Sequence, residues 1–284
     1  MNKRLRWKYF SDDLFKYWGI FCTFFGLLML GVFLFVIARE GFARLSWQFI
    51  VGFPSRVAAN AGILPALVGT AWVMVLTALI AIPVGVCAAI YLEEYAKKNR
   101  INRILEVNVA NLAGVPSIIY GLLGLEIFSR LMGMGGNLLA GSSTLALLVL
   151  PIIIVNTREA IKAVPRTLRE ASFALGATKW QTVRRTVLPA ATSSILTGII
   201  ISLSRAVGEA APLIVVGALA YVPFVPTNPT SEFTVLPIQI FNWVSRPQKA
   251  FLINASAGII VLLAITFTLN AIAVYLRIKK RVKY

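Results

Sequence analysis

Glu170–Pro189 reads EASFALGATKWQTVRRTVLP, a polar and basic stretch set between long apolar segments. A run of this length and polarity cannot sit in hydrocarbon, so it is a loop, large enough to fold and to meet a partner. Arg166 to Leu175 is rich in helix formers, and Gly176 follows where a helix would end or bend. Lys179, Arg184 and Arg185 add positive charge, and Leu188-Pro189 marks the expected turn back toward the apolar phase. A basic surface helix can simply lie against anionic lipid. That reading explains the charge, but it leaves the Glu-Ala-Ser…Gly-Ala spacing and its small-residue face unexplained.

Working outward, the 284-residue chain is 58% hydrophobic and only 14% charged. A soluble domain carries roughly 25% charged residues, so the deficit points to a membrane protein. There is no His, which removes the commonest general base and metal ligand, and no metal site is expected. Cys22 and Cys87 each lie inside an apolar segment and read as small hydrophobes rather than a disulfide pair. The net charge of +17 would in sum suit nucleic acid. Its distribution does not, because most of the cations flank apolar segments, so membrane lipid is the expected neighbour and nucleic acid is not.

Gly19–Ile37 follows a basic N-terminus but is too long for a signal-peptide core, and Ile37-Ala38-Arg39-Glu40 is a poor cleavage site. About 20 apolar residues cross a bilayer, so it reads as a retained first span. Five more spans are expected at Leu67–Leu92, Val109–Phe128, Leu138–Val155, Ile195–Tyr221 and Leu252–Leu276. Of the 28 Lys and Arg, 21 fall on the side of the N-terminus and 6 on the other, with Arg205 inside span five. The positive-inside rule then puts both termini and the Glu170–Pro189 loop in the cytoplasm.

Three segments depart from plain apolar helix. In the third span, Asn111-Leu112-Ala113-Gly114-Val115-Pro116-Ser117 places Gly and Pro inside an apolar run, with Gly121 and Gly124 following. Proline removes a backbone donor and clashes with the preceding turn, so the span should bend or break. In lipid the freed groups need a neighbouring helix or a water-filled cavity. The small residues fit either close helix packing or a break that lines a pathway. Val222–Lys249 carries five prolines, which exclude a long helix and favour an external loop with short turns, Phe241 and Trp243 serving as interfacial anchors.

The fifth span is the third case. It holds Arg205 and Glu209, four apart and so within pairing reach on one helical face. Charges in hydrocarbon face a bundle interior or an aqueous cavity, and by default mark function. A self-neutralising pair that only fixes packing is the plainer alternative. A guanidinium fork suits a carboxylate or a tetrahedral oxyanion, so Arg205 is a candidate for meeting a small anion. Gly208 and Pro212 beside it would let the helix flex.

Glu170-Ala171, Gly176-Ala177 and Leu188-Pro189 together resemble the EAA loop of membrane subunits of ABC importers. The match is by residue and spacing, Gly falling six and Pro nineteen positions after the Glu. Ser172 stands for the second Ala and Thr186 for the usual Ile. Gly114–Gly121 (GVPSIIYG) and Ser204–Leu213 (SRAVGEAAPL) are similar to the phosphate-import permeases. Ala211-Pro212-Leu213 and Leu236-Pro237-Ile238-Gln239-Ile240 resemble the A-type rather than the C-type subunit. Val155-Asn156-Thr157-Arg158-Glu159 departs from the Arg-Thr-Thr-Glu-Glu pattern of that subunit, and no transport role is carried onto it. The likeness covers roughly residues 60–276.

The resemblance implies an all-α membrane protein of six transmembrane helices, with a cytoplasmic coupling helix between spans four and five. Residues 1–60 would hold the first span and an external loop, 61–276 the transmembrane domain and 277–284 a basic tail. The implied setting is the bacterial plasma (inner) membrane. The implied partners are a homologous permease, two ATPase subunits docking on Glu170, Ala171, Ser172, Gly176, Ala177, Leu188 and Pro189, and an external phosphate-binding protein. The implied path for phosphate runs past Arg205, Gly208, Glu209, Pro212, Pro116 and Ser117. The chain would bind no cofactor, because it has no G-x-x-x-x-G-K-[ST] loop and ATP would be used by the partner. Rival readings are an importer of sulfate, molybdate or phosphonate, and an ATP-independent channel or secondary transporter. A duplicated half would favour a secondary transporter, and none is visible. A membrane enzyme lacks a nucleophile–base pair or metal set.

Overall fold

The computed structural model describes residues 3–97, 99–219 and 221–279, with side chains from residue 12 onward. Of the basic tail expected at 277–284, residues 280–284 lie outside the described residues. A long first helix, α1 (Lys3–Gly41), is followed by the short α2 (Trp47–Val51). α3 (Leu64–Ile90) runs on into a π turn at Tyr91–Tyr95. α4 (Arg100–Leu112) and α5 (Ser117–Gly124) come next, α5 extended by a π turn at Leu125–Leu131. α6 (Leu138–Lys162) leads to α7 (Arg166–Ala174) and α8 (Lys179–Thr182). A third π turn, Val183–Val187, joins α8 to α9 (Leu188–Val207). α10 (Ala211–Val216), α11 (Leu236–Val244) and α12 (Ala250–Lys279) complete the chain.

Five of these helices are long and apolar enough to cross a bilayer, and α4 with α5 makes a sixth, bent by 105°. The all-α membrane architecture expected from the sequence is therefore the observed one. Among the described residues the only β pairing is a single bridge between Asn137 and Glu232.

α6 lies at the centre, packed against α3, α5 and α9, while α12 lies on α9 and α1 touches the bundle through α12. Small residues set these approaches, as is usual where lipid removes the hydrophobic drive between helices. Gly85 of α3 faces Ile153 of α6, where an added Cβ would fall 2.7 Å from Ile153 Cγ2. Gly41 at the end of α1 sits against Ala257 and Ile260 of α12 in the same way. The interior is joined by Val149, Ile153, Ile161, Val187, Ala191 and Ile199. At the end opposite the Glu170–Pro189 loop, Phe49, Ile63, Leu236 and Trp243 form a second cluster. Arg44 closes that end by donating to the carbonyls of Ala58, Ala59 and Ala61 and to Asn254 Oδ1.

One break falls where the sequence placed it and another does not. The third span does break, at residues 113–116, because Pro116 has no N–H to continue the helix and takes an extended ψ of 134°. The carbonyl of Leu112, released there, accepts from Val115 N–H at 3.1 Å and from the Tyr120 hydroxyl at 2.7 Å. The small residues divide between the two readings the sequence left open. Gly114 belongs to the break, whereas Gly121 and Gly124 are close-packing positions against Pro212 and Thr144.

Three expectations are corrected. The fifth span is not one helix to Tyr221, since α9 ends at Val207 and α10 stops at Gly217, whose φ of 110° is left-handed. Leu188-Pro189 is not a turn, because one apolar helical stretch runs from Lys179 to Val207 and Pro189 falls in the first turn of α9, directly after the π turn, where a missing N–H is tolerated. Trp243 is 1% exposed and packs on Phe49 at 5.9 Å between ring centroids, so it is a core residue rather than an interfacial anchor. Its neighbour Phe241 is exposed.

Gly85→Val should overpack the α3–α6 contact and cost about 1–3 kcal/mol. The check is thermal unfolding in detergent, where an unchanged midpoint would contradict the packing described.

Candidate functional site

Two groups of residues singled out from the sequence occupy separate parts of the molecule. The first is the loop helix α7. Ala177 N–H donates to Ser172 O at 3.2 Å and Gly176 N–H to Phe173 O at 2.9 Å. With φ of 79° at Gly176, this is a Schellman closure. Thr178 then caps α8 reciprocally with Gln181. Ser172 Oγ lies 2.9 Å from Thr182 Oγ1, so the two short helices fold onto one another. Glu170, Ala171 and Gly176 are exposed, and Ala177 is half-buried. Phe173, Leu175 (89% exposed) and Trp180 present apolar surface around them.

Arg169, which sequence reasoning passed over, fixes α7 to the bundle. Its Nε and Nη2 donate to Glu94 Oε1 at 3.1 and 3.0 Å, and its Nη1 and Nη2 to the carbonyls of Val164 and Ile161. Glu94 closes α3, and the two carbonyls close α6. One guanidinium thus ties the loop helix to the ends of two spans. Lys179 adds a contact over the Tyr95 ring at 5.1 Å, again at the end of α3.

The second group surrounds the interrupted spans. α10 packs on α5, and a Cβ on Gly121 would fall 2.8 Å from Pro212 Cα. Further along, Gly217 lies against Gly136, in the turn that ends the α5 segment. The two short helices therefore run the same way, and the breaks at Pro116-Ser117 and Gly208–Glu209 fall at the same end of the pair. Pro212 is buried, Ser117 half-buried, and Pro116 and Gly208 exposed.

Arg205 is not buried as expected for a charge inside a span. Its side chain is 61% exposed and that of Glu209 is 19% exposed, with Nε and Oε1 3.8 Å apart. The reason is the break itself, since Glu209 has left helical geometry and Arg205 stands on the last turn of α9 facing away from the core. A pair this long and exposed holds neither partner strongly. The guanidinium is accordingly open to another anion.

Two polar groups of the atypical Val155–Glu159 stretch, onto which the sequence carried no role, find partners in the fold. Arg158 bridges Glu93 at 3.4 Å and Glu106 at 3.0 Å, and Asn156 donates weakly to Gly198 O and Ser202 Oγ on α9 at 3.4 Å. Their partners are distant along the chain, and only the fold brings them together.

Arg169→Gln should release α7. Hydrogen bonds to charged groups contribute about 2 kcal/mol each, so the loss of even one should speed exchange of the backbone amides of residues 166–175 by roughly thirtyfold. The exposed Glu170→Gln should leave exchange unchanged, and equal rates in both variants would contradict the anchoring role.

The family described as binding-protein-dependent transport system inner membrane component matches residues 81–283. The chain is 32% identical to the probable ABC transporter permease protein YqgI of Bacillus subtilis, over 89% of this chain and 90% of that one. It is 30% identical to the phosphate transport system permease protein PstA of Yersinia pestis, over 99% and 94%. Its fold matches a chain of the bacterial alginate ABC transporter solved with an alginate-bound periplasmic protein, at a TM-score of 0.64, 16% identity and 94% and 95% coverage. The chain belongs to the binding-protein-dependent transport system inner membrane component family and is the non-enzymatic membrane permease subunit of an ABC importer.

Proposed function

We propose that this permease imports phosphate, forming half of a path completed by a homologous permease and driven by two ATPase subunits. The observation that carries the cargo is Arg205. It is a permanently charged fork, open on the surface of the chain, at the end of a broken span and loosely held by Glu209. Interrupted helices packed on one another supply the backbone groups and flexibility of an anion pathway in a membrane. The likeness to a relative named as a phosphate permease over nearly the whole chain supports phosphate among the oxyanions that such a fork would accept.

In this reading the exposed faces of α5 and α9 meet the second permease, so that Arg205 comes to line an enclosed path. An external binding protein delivers phosphate at the end marked by Arg44 and Trp243. The excess of Lys and Arg on the other side puts both termini and α7 in the cytoplasm. There Glu170, Ala171, Ser172, Gly176 and Ala177, with the apolar rim of Phe173 and Leu175, receive the ATPase. Movement of α7 passes through Arg169 to the ends of α3 and α6, and opens the path alternately to the two sides. ATP is bound and hydrolysed by the partner.

Two variants test this. Arg205→Gln keeps the size and loses the charge; uptake of phosphate by cells should fall more than tenfold while the assembled complex is recovered in normal yield. Normal uptake would remove Arg205 from the path. Gly176→Val meets no neighbouring atom but must adopt a left-handed φ, at a cost of about 1–2 kcal/mol. ATP hydrolysis should persist while uptake falls about tenfold, and tightly coupled uptake would remove the loop from its role.

A further inference from the structure

The cavity between α3, α4 and α6, at the end of the bundle that carries α7, has no part in the transport path described above. It measures about 830 Å³, and its walls include Lys97, Arg100, Arg103 and Arg158, with Glu93 and Glu106 as its acids. Both carboxylates are already engaged by Arg158. Lys162, also on the wall, is engaged by Glu159 at 3.0 Å. Lys97, Arg100 and Arg103 take part in no ion pair among the described residues, which leaves the cavity with uncompensated positive charge. Arg158 is 9% exposed, and its Nε is buried without a hydrogen-bond partner. A donor in that condition costs free energy unless something arrives to accept from it. The N-terminus of α4, capped by Asn99, opens at the same place and adds its partial positive charge.

The adjoining side of α4 is different in character. Ile101, Ile104 and Val107 are exposed there, and a smaller groove of about 380 Å³ runs along Arg100, Arg103, Ile104, Val107 and Asn108. Arg100 and Arg103 are common to both spaces, so a cationic recess and an apolar groove share one wall. α5 with its π extension rises only about 22 Å, and α4 meets it at 105°. α4 therefore turns aside from α5 instead of continuing it, and its first turns stay beside the ends of α3 and α6.

We infer that this recess is a seat for a phosphate group, supplied by an anionic phospholipid whose acyl chains lie along the apolar side of α4. Arg100 and Arg103 contact the phosphate from the rim, Lys97 completes the charge, and the Arg158 guanidinium lies behind it. The occupant would tie the first turns of α4 to the ends of α3 and α6, the same two ends that Arg169 holds. Free phosphate shares the headgroup's chemistry and would fit the recess, but would leave the apolar groove uncovered. The inference does not depend on what the transporter carries.

The test uses the assembled transporter, with its second permease and ATPases, reconstituted in phosphatidylcholine containing about one part in four phosphatidylglycerol and then extracted gently for mass measurement of retained lipid. The double variant Arg100→Gln, Arg103→Gln should retain phosphatidylglycerol at least tenfold less well, from about fivefold per charge near a membrane surface. Arg184→Gln with Arg185→Gln removes equal charge from the same end and should change retention less than twofold. A parallel arm titrates delipidated complex with inorganic phosphate. Binding of inorganic phosphate that is lost in the Arg100, Arg103 variant, without retained phosphatidylglycerol, would support the phosphate seat with a soluble source. Equal lipid retention in all variants, with no phosphate binding that depends on Arg100 and Arg103, would overturn the inference.

Discussion

The guanidinium of Arg169 is the joint on which the rest of the account depends. A loop between two spans is ordinarily free to move without consequence for either of them. Here one side chain makes four hydrogen bonds, to Glu94 at the end of α3 and to the carbonyls of Ile161 and Val164 at the end of α6. Displacing α7 means either breaking those bonds or carrying both ends along. α3 and α6 pack closely through contacts such as Gly85 on Ile153, so they transmit displacement rather than absorb it. On the function proposed above, the loop is the docking element and Arg169 makes it a lever.

At the other end of that lever are two helices that do not finish their crossing. Lipid leaves no backbone polar group unpaired, so each break must be met by protein or by water. The Leu112 carbonyl is met by Tyr120, and α10 is steadied by seating Pro212 on Gly121. The region around Gly208, Glu209 and Arg205 is left comparatively open. A permanently charged side chain thus stands at an open break, on a face not covered by this chain; in the proposed function that face meets a second subunit and an anion.

Much of the architecture was legible because it follows from local rules. Apolar length gave the spans, and Gly114-Val115-Pro116 gave the broken third one, because proline acts on its own turn. The break in span five was only half legible: Gly208 and Pro212 marked a point of flexure, but apolar residues continue through Leu213–Tyr221, and the structure alone shows that α9 ends at Val207 and α10 at the left-handed Gly217. Trp243 looked like an anchor because a Trp near a membrane edge is the usual one, and only the packing of Phe49 showed otherwise. Arg158 and Arg169 were invisible as sites, their acidic partners Glu93 and Glu94 lying 65 and 75 residues away along the chain. The exposure of Arg205 depends on where its helix stops, which hydropathy does not record.

The central claim is that this chain passes phosphate when an ATPase acts on it. The direct measurement is accumulation of labelled phosphate, sulfate and molybdate in proteoliposomes holding the chain with its second permease and ATPase subunits. The binding protein is supplied at the opposite face, with and without ATP. The account predicts ATP-dependent accumulation of phosphate against its gradient, and little of the other two. Accumulation of sulfate or molybdate in preference to phosphate, or equal phosphate movement without ATP, would contradict it.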